Sequence, residues 1–173
     1  MAKSLVLFYS RKGTNYVSGE IKTLEKGNAA RLAEYIQKAV GADVFEIETV
    51  KPYSEDYAAC VEQARAEFKS NARPELKSYL ESLDGYETVF VVGPNWCGVY
   101  PMPVYSQLER LDFSGKKVCY AVSHEGSGLG GVPQTMPGAC KGAAFGEPLA
   151  VRGSNTENAE QTVAEWAKKA GAK

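Results

Sequence analysis

Short runs of apolar residues recur along the chain and alternate with stretches in which apolar residues return every three or four positions. The first run, residues 5–9 (LVLFY), is continuous, as in a strand that is buried on both faces of a parallel sheet. Four similar runs follow at residues 44–47, 88–92, 118–122 and 149–151. The pattern therefore predicts five strands.

Helical periodicity fills most of the gaps between these strands. Apolar residues with a spacing of three or four positions are Leu32, Ile36 and Val40; Tyr57, Val61, Ala64 and Phe68; Val104, Leu108 and Leu111; and Val163, Trp166, Ala167 and Ala170. Between residues 126 and 142, six glycines and two prolines leave room only for a short or broken helix. The alternation predicts a three-layer, doubly wound α/β fold with a parallel five-stranded sheet. We expect residues 1–173 to form a single domain.

Ligands of such folds bind beyond the carboxyl ends of the strands, and the loop after the first strand is a candidate phosphate site. The beginning of the first helix is expected to contribute to the same site, because its backbone N–H groups and the positive end of the helix dipole favour anions. The candidate residues are Ser10, Arg11, Lys12, Asn28, Ala29 and Ala30. The alternative is a solvated basic turn in which Asn28 is a plain N-cap.

The loop after the third strand is a candidate site for a flat aromatic ligand. Residues 93–102 contain no charged side chain, which is unusual for a loop at the protein surface. Such a loop either folds inward, as simple aromatic packing, or covers an apolar ligand. The candidate ligand-binding residues are Pro94, Asn95, Trp96, Cys97 and Gly98.

The loop after the fourth strand is rich in glycine, which lets the backbone approach a ligand closely. The candidate residues are His124, Glu125, Gly126, Ser127 and Gly128. Residues 126–131 match G-x-G-x-x-G, but a dinucleotide is not expected because that motif belongs in the first strand-to-helix turn. His124 either stabilises an anionic ring or is a hydrogen-bonded structural residue.

Composition narrows the classes of function. The net charge of −1 leaves no basic field for nucleic acid, and no apolar run is long enough to predict a membrane span. Four scattered cysteines and one histidine predict no metal site. There is no G-x-S-x-G elbow and no P-loop, so we assign no catalytic residue. Without an export signal, we expect a cytoplasmic protein with reduced thiols.

These loops resemble the flavodoxin family, and the resemblance extends over nearly the whole chain. Residues 9–11 and 27–28 resemble its phosphate loop, residues 93–98 its first flavin loop, and residues 123–130 its second. The resemblance implies the strand order 2-1-3-4-5 and non-covalent FMN at the carboxyl edge of the sheet, held by the loop residues named above. Two departures are an insertion in the phosphate loop at residues 12–26, and Ala29 where the family often has threonine.

The resemblance also implies a role. We expect a one-electron carrier between protein redox partners, a reductase and an acceptor, as a monomer or weak dimer. The alternatives are an FMN-dependent NAD(P)H:quinone-type reductase and a flavin-binding protein without turnover. Family members are usually strongly acidic, whereas Glu125 is here the one charged residue among the two flavin loops. We expect the insertion, with apolar Tyr16, Val17, Ile21 and Leu24, to fold over the phosphate end of the site.

Overall fold

The computed structural model describes residues 3–171. The strands are β1 (Lys3–Phe8), β2 (Gly13–Val17), β3 (Glu20–Leu24), β4 (Asp43–Glu46), β5 (Tyr86–Pro94), β6 (Lys117–His124), β7 (Ala144–Phe145) and β8 (Leu149–Arg152). The helices are α1 (Asn28–Val40), α2 (Tyr57–Ser70), α3 (Met102–Leu108), α4 (Val132–Ala139) and α5 (Glu160–Gly171), with a 3-10 helix (Gly153–Asn158) before α5.

The main sheet has the order β4-β1-β5-β6, and both β7 and β8 pair with the far side of β6. Every pairing in this sheet is parallel. When the strands of this sheet are numbered along the chain, with β7 and β8 sharing the fifth position, their order is the 2-1-3-4-5 implied by the resemblance. The fifth position consists of two strands because the pairing with β6 is interrupted between Phe145 and Leu149. The Gly146 N–H still donates to the Val118 carbonyl at 2.9 Å, but Pro148 has no N–H to donate.

Helices cover both faces of the sheet. Successive strand residues point to opposite faces, so Val6 and Val92 pack with α1 and α5 on one side. Leu5 and Val91 pack with α3 and α4 on the other side. The three-layer, doubly wound fold is confirmed, and the carboxyl ends of β1, β5 and β6 lie along one edge.

The helix in the glycine-rich segment is short, as expected. α4 has eight residues, starts just before Pro133 and contains Pro137 near its end. Proline is tolerated in a first helical turn, where its missing N–H has no intrahelical partner, but it disrupts the interior. Nowhere in residues 3–171 is a helix long and apolar enough to span a bilayer.

Residues 13–24 form an antiparallel hairpin, β2–β3, that we expected only as a polar stretch with an apolar side. Its connecting residues Ser18 and Gly19 have φ angles of 52° and 82°, as a type I′ turn requires at both central positions. Val17 is the only buried residue of the two strands. The hairpin therefore has little hydrophobic core of its own and depends on contacts with its neighbours.

A buried amide ties the long segment between α2 and β5 to helix α3. Gln107 is fully buried; its Oε1 accepts a hydrogen bond from the Leu80 N–H at 2.8 Å, and its Nε2 donates to the Leu80 carbonyl at 2.9 Å. One side chain thus provides hydrogen-bond partners for both the N–H and the carbonyl of Leu80, as a neighbouring strand would.

We predict that Gln107→Leu lowers the free energy of unfolding by about 2–4 kcal/mol, because it leaves the N–H and carbonyl of Leu80 without partners. Urea denaturation measures the effect. The control is Gln161→Leu at an exposed position of helix α5, which should change stability by less than about 0.5 kcal/mol. Equal stabilities of the two variants would contradict the assigned role of Gln107.

Candidate functional site

The loops at the carboxyl edge of the sheet enclose a cavity of about 370 Å³, a volume typical of small-molecule sites. It lies where β1, β5 and β6 end and where α1 and α2 begin. The lining residues are Ser10, Arg11, Asn15, Tyr16, Asn28, Ala29, Tyr57, Pro94, Asn95, Trp96, Ser123, His124, Glu125, Gly126 and Ser127.

Most residues expected at a binding site line this cavity, and five do not. Lys12, Ala30, Cys97, Gly98 and Gly128 belong to the same loops but lie outside the lining. Four lining residues were not among the candidates named from the sequence, namely Asn15, Tyr16, Tyr57 and Ser123, although Tyr16 belongs to the insertion expected over the site. Ser123 directly follows an expected strand and could have been inferred. The positions of Asn15 and Tyr16 depend on where the hairpin folds, and that of Tyr57 on where α2 begins.

The start of α1 is held against the loop that follows β1. The Ser10 hydroxyl accepts a hydrogen bond from the Ala30 N–H at 3.1 Å. Gly27 makes this approach possible, since a Cβ there would lie 2.1 Å from Ser10 Oγ and 2.6 Å from the Arg11 carbonyl oxygen. Asn28 and Ala29 line the cavity at the first turn of the helix, where backbone N–H groups can bind an anion.

Arg11 is engaged with backbone carbonyls as well as lining the cavity. Its Nη2 donates to the carbonyls of Ser54 at 2.8 Å and Glu55 at 3.2 Å, and its Nη1 donates to that of Thr14. The guanidinium therefore joins the loop after β1, the hairpin and the loop before α2. It brings positive charge to the cavity wall while serving as a structural connector.

The loop after β5 is a tight hairpin turn. Trp96 and Val99 exchange backbone hydrogen bonds of 2.7 and 3.1 Å, and the residues between them, Cys97 and Gly98, have φ angles of 57° and 87°. Asn95 stabilises the turn by accepting the Gly98 N–H at 3.0 Å. Its Nδ2 donates to the Gly128 carbonyl at 3.1 Å, so Asn95 also ties this loop to the one after β6.

The Trp96 ring is oriented by two tyrosines. Its centroid is 5.5 Å from that of Tyr9 and 5.2 Å from that of Tyr53, both in edge-to-face geometry, an arrangement that aromatic pairs favour. The sequence left two alternatives for this uncharged loop, inward aromatic packing and a wall of a ligand site. Trp96 packs against the core and also lines the cavity.

His124 is a neutral hydrogen-bonding group in this structure. Its Nδ1 accepts the Gly126 N–H at 2.9 Å, which leaves Nε2 to carry the ring proton. Burial lowers the pKa of His124, and the positive charge of Arg152 lowers it further. His124 therefore offers the cavity a donor and not a positive charge.

The β2–β3 hairpin lies across the site between α2 and the loop after β6. Tyr16 stacks on Tyr57 with centroids 6.3 Å apart, and the Ser18 N–H donates to Glu125 Oε1 at 2.8 Å. Asn15 and Tyr16 line the cavity together with the first turn of α1. That the hairpin closes over a bound ligand stays a prediction.

The second carboxylate oxygen of Glu125 is buried and has no hydrogen-bond partner within residues 3–171. It rests against Gly153, where a Cβ would lie 2.0 Å from Glu125 Oε2 and 2.5 Å from Asn28 Nδ2. Glu125 thus connects the hairpin turn, through the Ser18 N–H, with the end of β8, through Arg152, whose Nη2 donates to the Glu125 carbonyl.

These features define an α/β protein with a small-molecule site at the carboxyl edge of a parallel sheet, formed by the first helix and two uncharged or glycine-rich loops. A flavodoxin family model matches residues 21–170. The chain belongs to the flavodoxin family.

Solved structures agree in fold. A flavoprotein from Bacteroides uniformis is 26% identical with a TM-score of 0.71, the alignment covering 96% of this chain and 98% of that one. One from Bacteroides eggerthii is 22% identical, with a TM-score of 0.77 and full coverage of both chains (100% and 100%). A flavoprotein from Lactobacillus acidophilus, solved in complex with FMN, is 16% identical with a TM-score of 0.64, covering 93% and 99% of the two chains. No curated protein matches the chain in sequence.

We predict that the His124 imidazole titrates below about pH 6.5, the value of an unperturbed histidine. Because its pKa is lowered in the folded state, neutral His124 contributes stability that is present above about pH 6.5 and is lost as the pH falls toward the folded value. Nitrogen-15 NMR of the ring should show an unprotonated Nδ1 at neutral pH. A protonated Nδ1, or a pKa above 6.5, would contradict this geometry.

Proposed function

We propose that the protein binds FMN non-covalently in this cavity and carries electrons one at a time between redox partners. The observation that carries the proposal is the convergence, in one cavity, of the first turn of α1, the Trp96 ring and the glycine-rich loop after β6. The first turn of α1 suits a phosphate group, the Trp96 ring suits a flat aromatic ring, and the glycine-rich loop allows the backbone to approach the ligand closely.

The phosphate end of FMN fits the start of α1. The helix dipole and the N–H groups of its first turn favour a dianion, and the Ser10 hydroxyl and Asn28 amide are within the same lining. Arg11 adds positive charge. Ala29 supplies only its backbone at a place where a hydroxyl is common in the family, so the helix N–H groups have to contribute most of the phosphate binding.

The ring end fits the two flavin loops. The indole of Trp96 offers a stacking surface that is worth about 0.5–1.5 kcal/mol beyond area burial. On the other loop, Gly126 and Ser127 line the cavity and are exposed at its rim, with little side-chain obstruction. When bound, FMN supplies one- and two-electron redox chemistry, while the chain binds it, orients it and leaves an edge accessible.

The Cys97–Gly98 peptide favours the carrier role. Its N–H is held by Asn95, and since a trans peptide points its N–H and C=O in opposite directions, the Cys97 carbonyl faces away from Asn95. This carbonyl is available to accept a hydrogen bond from a protonated nitrogen of the flavin ring. Cys97 and Gly98 lie outside the cavity lining, but they directly follow Trp96, which lines it. From this position the peptide would tune the two reduction steps separately, which a one-electron carrier needs.

We propose protein partners, a reductase and an acceptor, because the accessible rim of the cavity is made of small side chains. Gly126 and Ser127 line the cavity and are exposed there, and Cys97 is exposed in the adjacent loop, outside the lining. We also propose that residues 1–173 act as one domain with residues 12–26 as an insertion, as a monomer or weak dimer in the cytoplasm.

We predict that the apoprotein binds one FMN per chain. The fluorescence of FMN should be quenched on binding, because Trp96 stacks on the flavin ring. Trp96→Leu should weaken binding at least tenfold and reduce quenching, whereas Trp166→Phe on α5, distant from the cavity lining, should leave both unchanged. Riboflavin, which lacks the phosphate, should bind at least tenfold more weakly. Absence of binding at micromolar FMN, or equal affinity for riboflavin, would contradict the assignment.

We predict that stepwise reduction of the FMN-loaded protein resolves two one-electron steps, with negligible NAD(P)H oxidation in the absence of a partner. Gly98→Val should bring the two steps closer together, because φ of 87° at this position is strained for a β-branched residue, while FMN affinity changes little. Spectroelectrochemistry measures the separation. A single two-electron step with rapid NAD(P)H turnover would reject the carrier and favour the reductase.

A further inference from the structure

Strand β3 is an edge strand that the rest of the described chain leaves uncovered. Glu20, Ile21, Lys22 and Thr23 are all exposed, and within residues 3–171 the strand pairs with β2 alone. The side chain of Ile21 is 53% exposed, the largest fraction among the exposed large hydrophobic residues of that range. An exposed strand edge is a template for pairing with a further strand.

The register of the hairpin determines which backbone groups of β3 point outward. Next to a two-residue turn the facing residues, here Val17 and Glu20, form a hydrogen-bonded pair, and such pairs alternate with non-hydrogen-bonded pairs. Tyr16 and Ile21 are the next pair, so the N–H and carbonyl of Ile21 point away from β2. In the described part of the chain they form no backbone hydrogen bond with another segment.

The outer edge of β2 is covered, which leaves β3 as the open side of the hairpin. By the same alternation Thr14 points its backbone groups outward from β2, and its carbonyl accepts a hydrogen bond from Arg11 Nη1. The Thr14 hydroxyl donates to the Glu55 carbonyl, and the Tyr16 ring stacks on Tyr57. A further strand can therefore join the hairpin only along β3.

The charges of β3 match those of a second copy of the same strand. Glu20 and Lys22 lie on one face of β3, on either side of Ile21, and neither forms an ion pair within residues 3–171. If two copies pair antiparallel with Ile21 opposite Ile21, Glu20 of each copy faces Lys22 of the other. These are non-hydrogen-bonded pairs, in which side chains are closest, and opposite charges stabilise such pairs.

The neighbouring registers are disfavoured. The outward backbone groups alternate along β3, so the pairing can slide only in steps that keep these groups facing each other. One step in one direction places Lys22 opposite Lys22, and one step in the other places Glu20 opposite Glu20. Like charges directly opposite destabilise a strand pair, so the Ile21-centred register is selected.

We propose that the protein forms a two-fold symmetric dimer in which two β3 strands pair antiparallel through Ile21. The two hairpins then form one four-stranded sheet in the order β2-β3-β3-β2, with two Glu20–Lys22 ion pairs beside the axis. Because the outer edges of both β2 strands are covered, the assembly closes at two copies. The contact is small, so its dissociation constant lies in the micromolar to millimolar range. The pairing does not need FMN.

Reversal of the charges tests the pairing, with the dissociation constant of the apoprotein measured by sedimentation equilibrium. Glu20→Lys and Lys22→Glu should each weaken the dimer at least tenfold, because each places like charges opposite one another. An equimolar mixture of these two variants should form a heterodimer about as tight as the wild-type dimer, since both facing pairs are then oppositely charged. Lys168→Glu, at an exposed position of α5, is the matched control and should leave the dimer unchanged.

Substitution of Ile21 tests the strand edge itself. Ile21→Pro removes the outward N–H without removing a hydrogen bond within the hairpin, a change that edge strands tolerate, and it should abolish the dimer. Ile21→Ser keeps the N–H and should weaken the dimer by losing the apolar contact. The control is Val44→Ser, since Val44 is 39% exposed on β4, the other edge strand of this type, and it should have no effect.

Three results would overturn the proposal: wild-type protein that stays monomeric at millimolar concentration, single charge variants that dimerise as well as wild type, or a mixture of these variants that does not recover the dimer. A dimer that Val44→Ser weakens as much as Ile21→Ser does would also overturn it. FMN affinity is measured separately on the same proteins. Failure to bind FMN overturns the proposed function and leaves the strand pairing intact.

Discussion

The close contact of Gly27 with the loop after β1 determines where the first helix begins, and the site is organised around that point. Only a residue without a Cβ lets Ser10 Oγ and the Arg11 carbonyl approach so closely. Ser10 can then accept the Ala30 N–H, which places the first turn of α1 at the cavity. Arg11, positioned by the same contact, holds the hairpin and the loop before α2 through their carbonyls. The close contact of Gly27 with Ser10 and Arg11 thus positions both the start of α1, where an anion can bind, and the β2–β3 hairpin beside it.

Elements whose stability comes from burial could be predicted from the sequence, and elements held by specific contacts could not. The runs around Val6, Val91 and Ala121 are fully buried, so their apolar character identifies them as strands. β2 and β3 bury only Val17, and their pairing is set by the Ser18–Gly19 turn and by the Ser18 contact with Glu125. The sequence carried a weak signal for this hairpin in its serine-glycine pair, which is a less common turn than asparagine-glycine.

The same distinction applies to the site. Trp96 and the glycine-rich loop follow expected strands, and their position at the carboxyl edge follows from the fold. Tyr57, the first residue of α2, lines the cavity with Tyr16 stacked on it. No local pattern encodes such a contact between separate segments. The charge of the site is also a property of the fold: His124 is neutral through the Gly126 N–H, and the cation beside it is Arg152, which lies far away in the chain.

We propose that the loop after β1, the start of α1, the two flavin loops and the hairpin together form one FMN site. Amide hydrogen exchange with and without FMN tests this claim most directly, because it reports on all five segments in one experiment. We expect FMN to increase protection together in residues 10–11, 13–24, 28–30, 95–98 and 124–128, while protection of α5 is unchanged. A hairpin that stays equally unprotected with FMN bound, or protection confined to one loop, would contradict it.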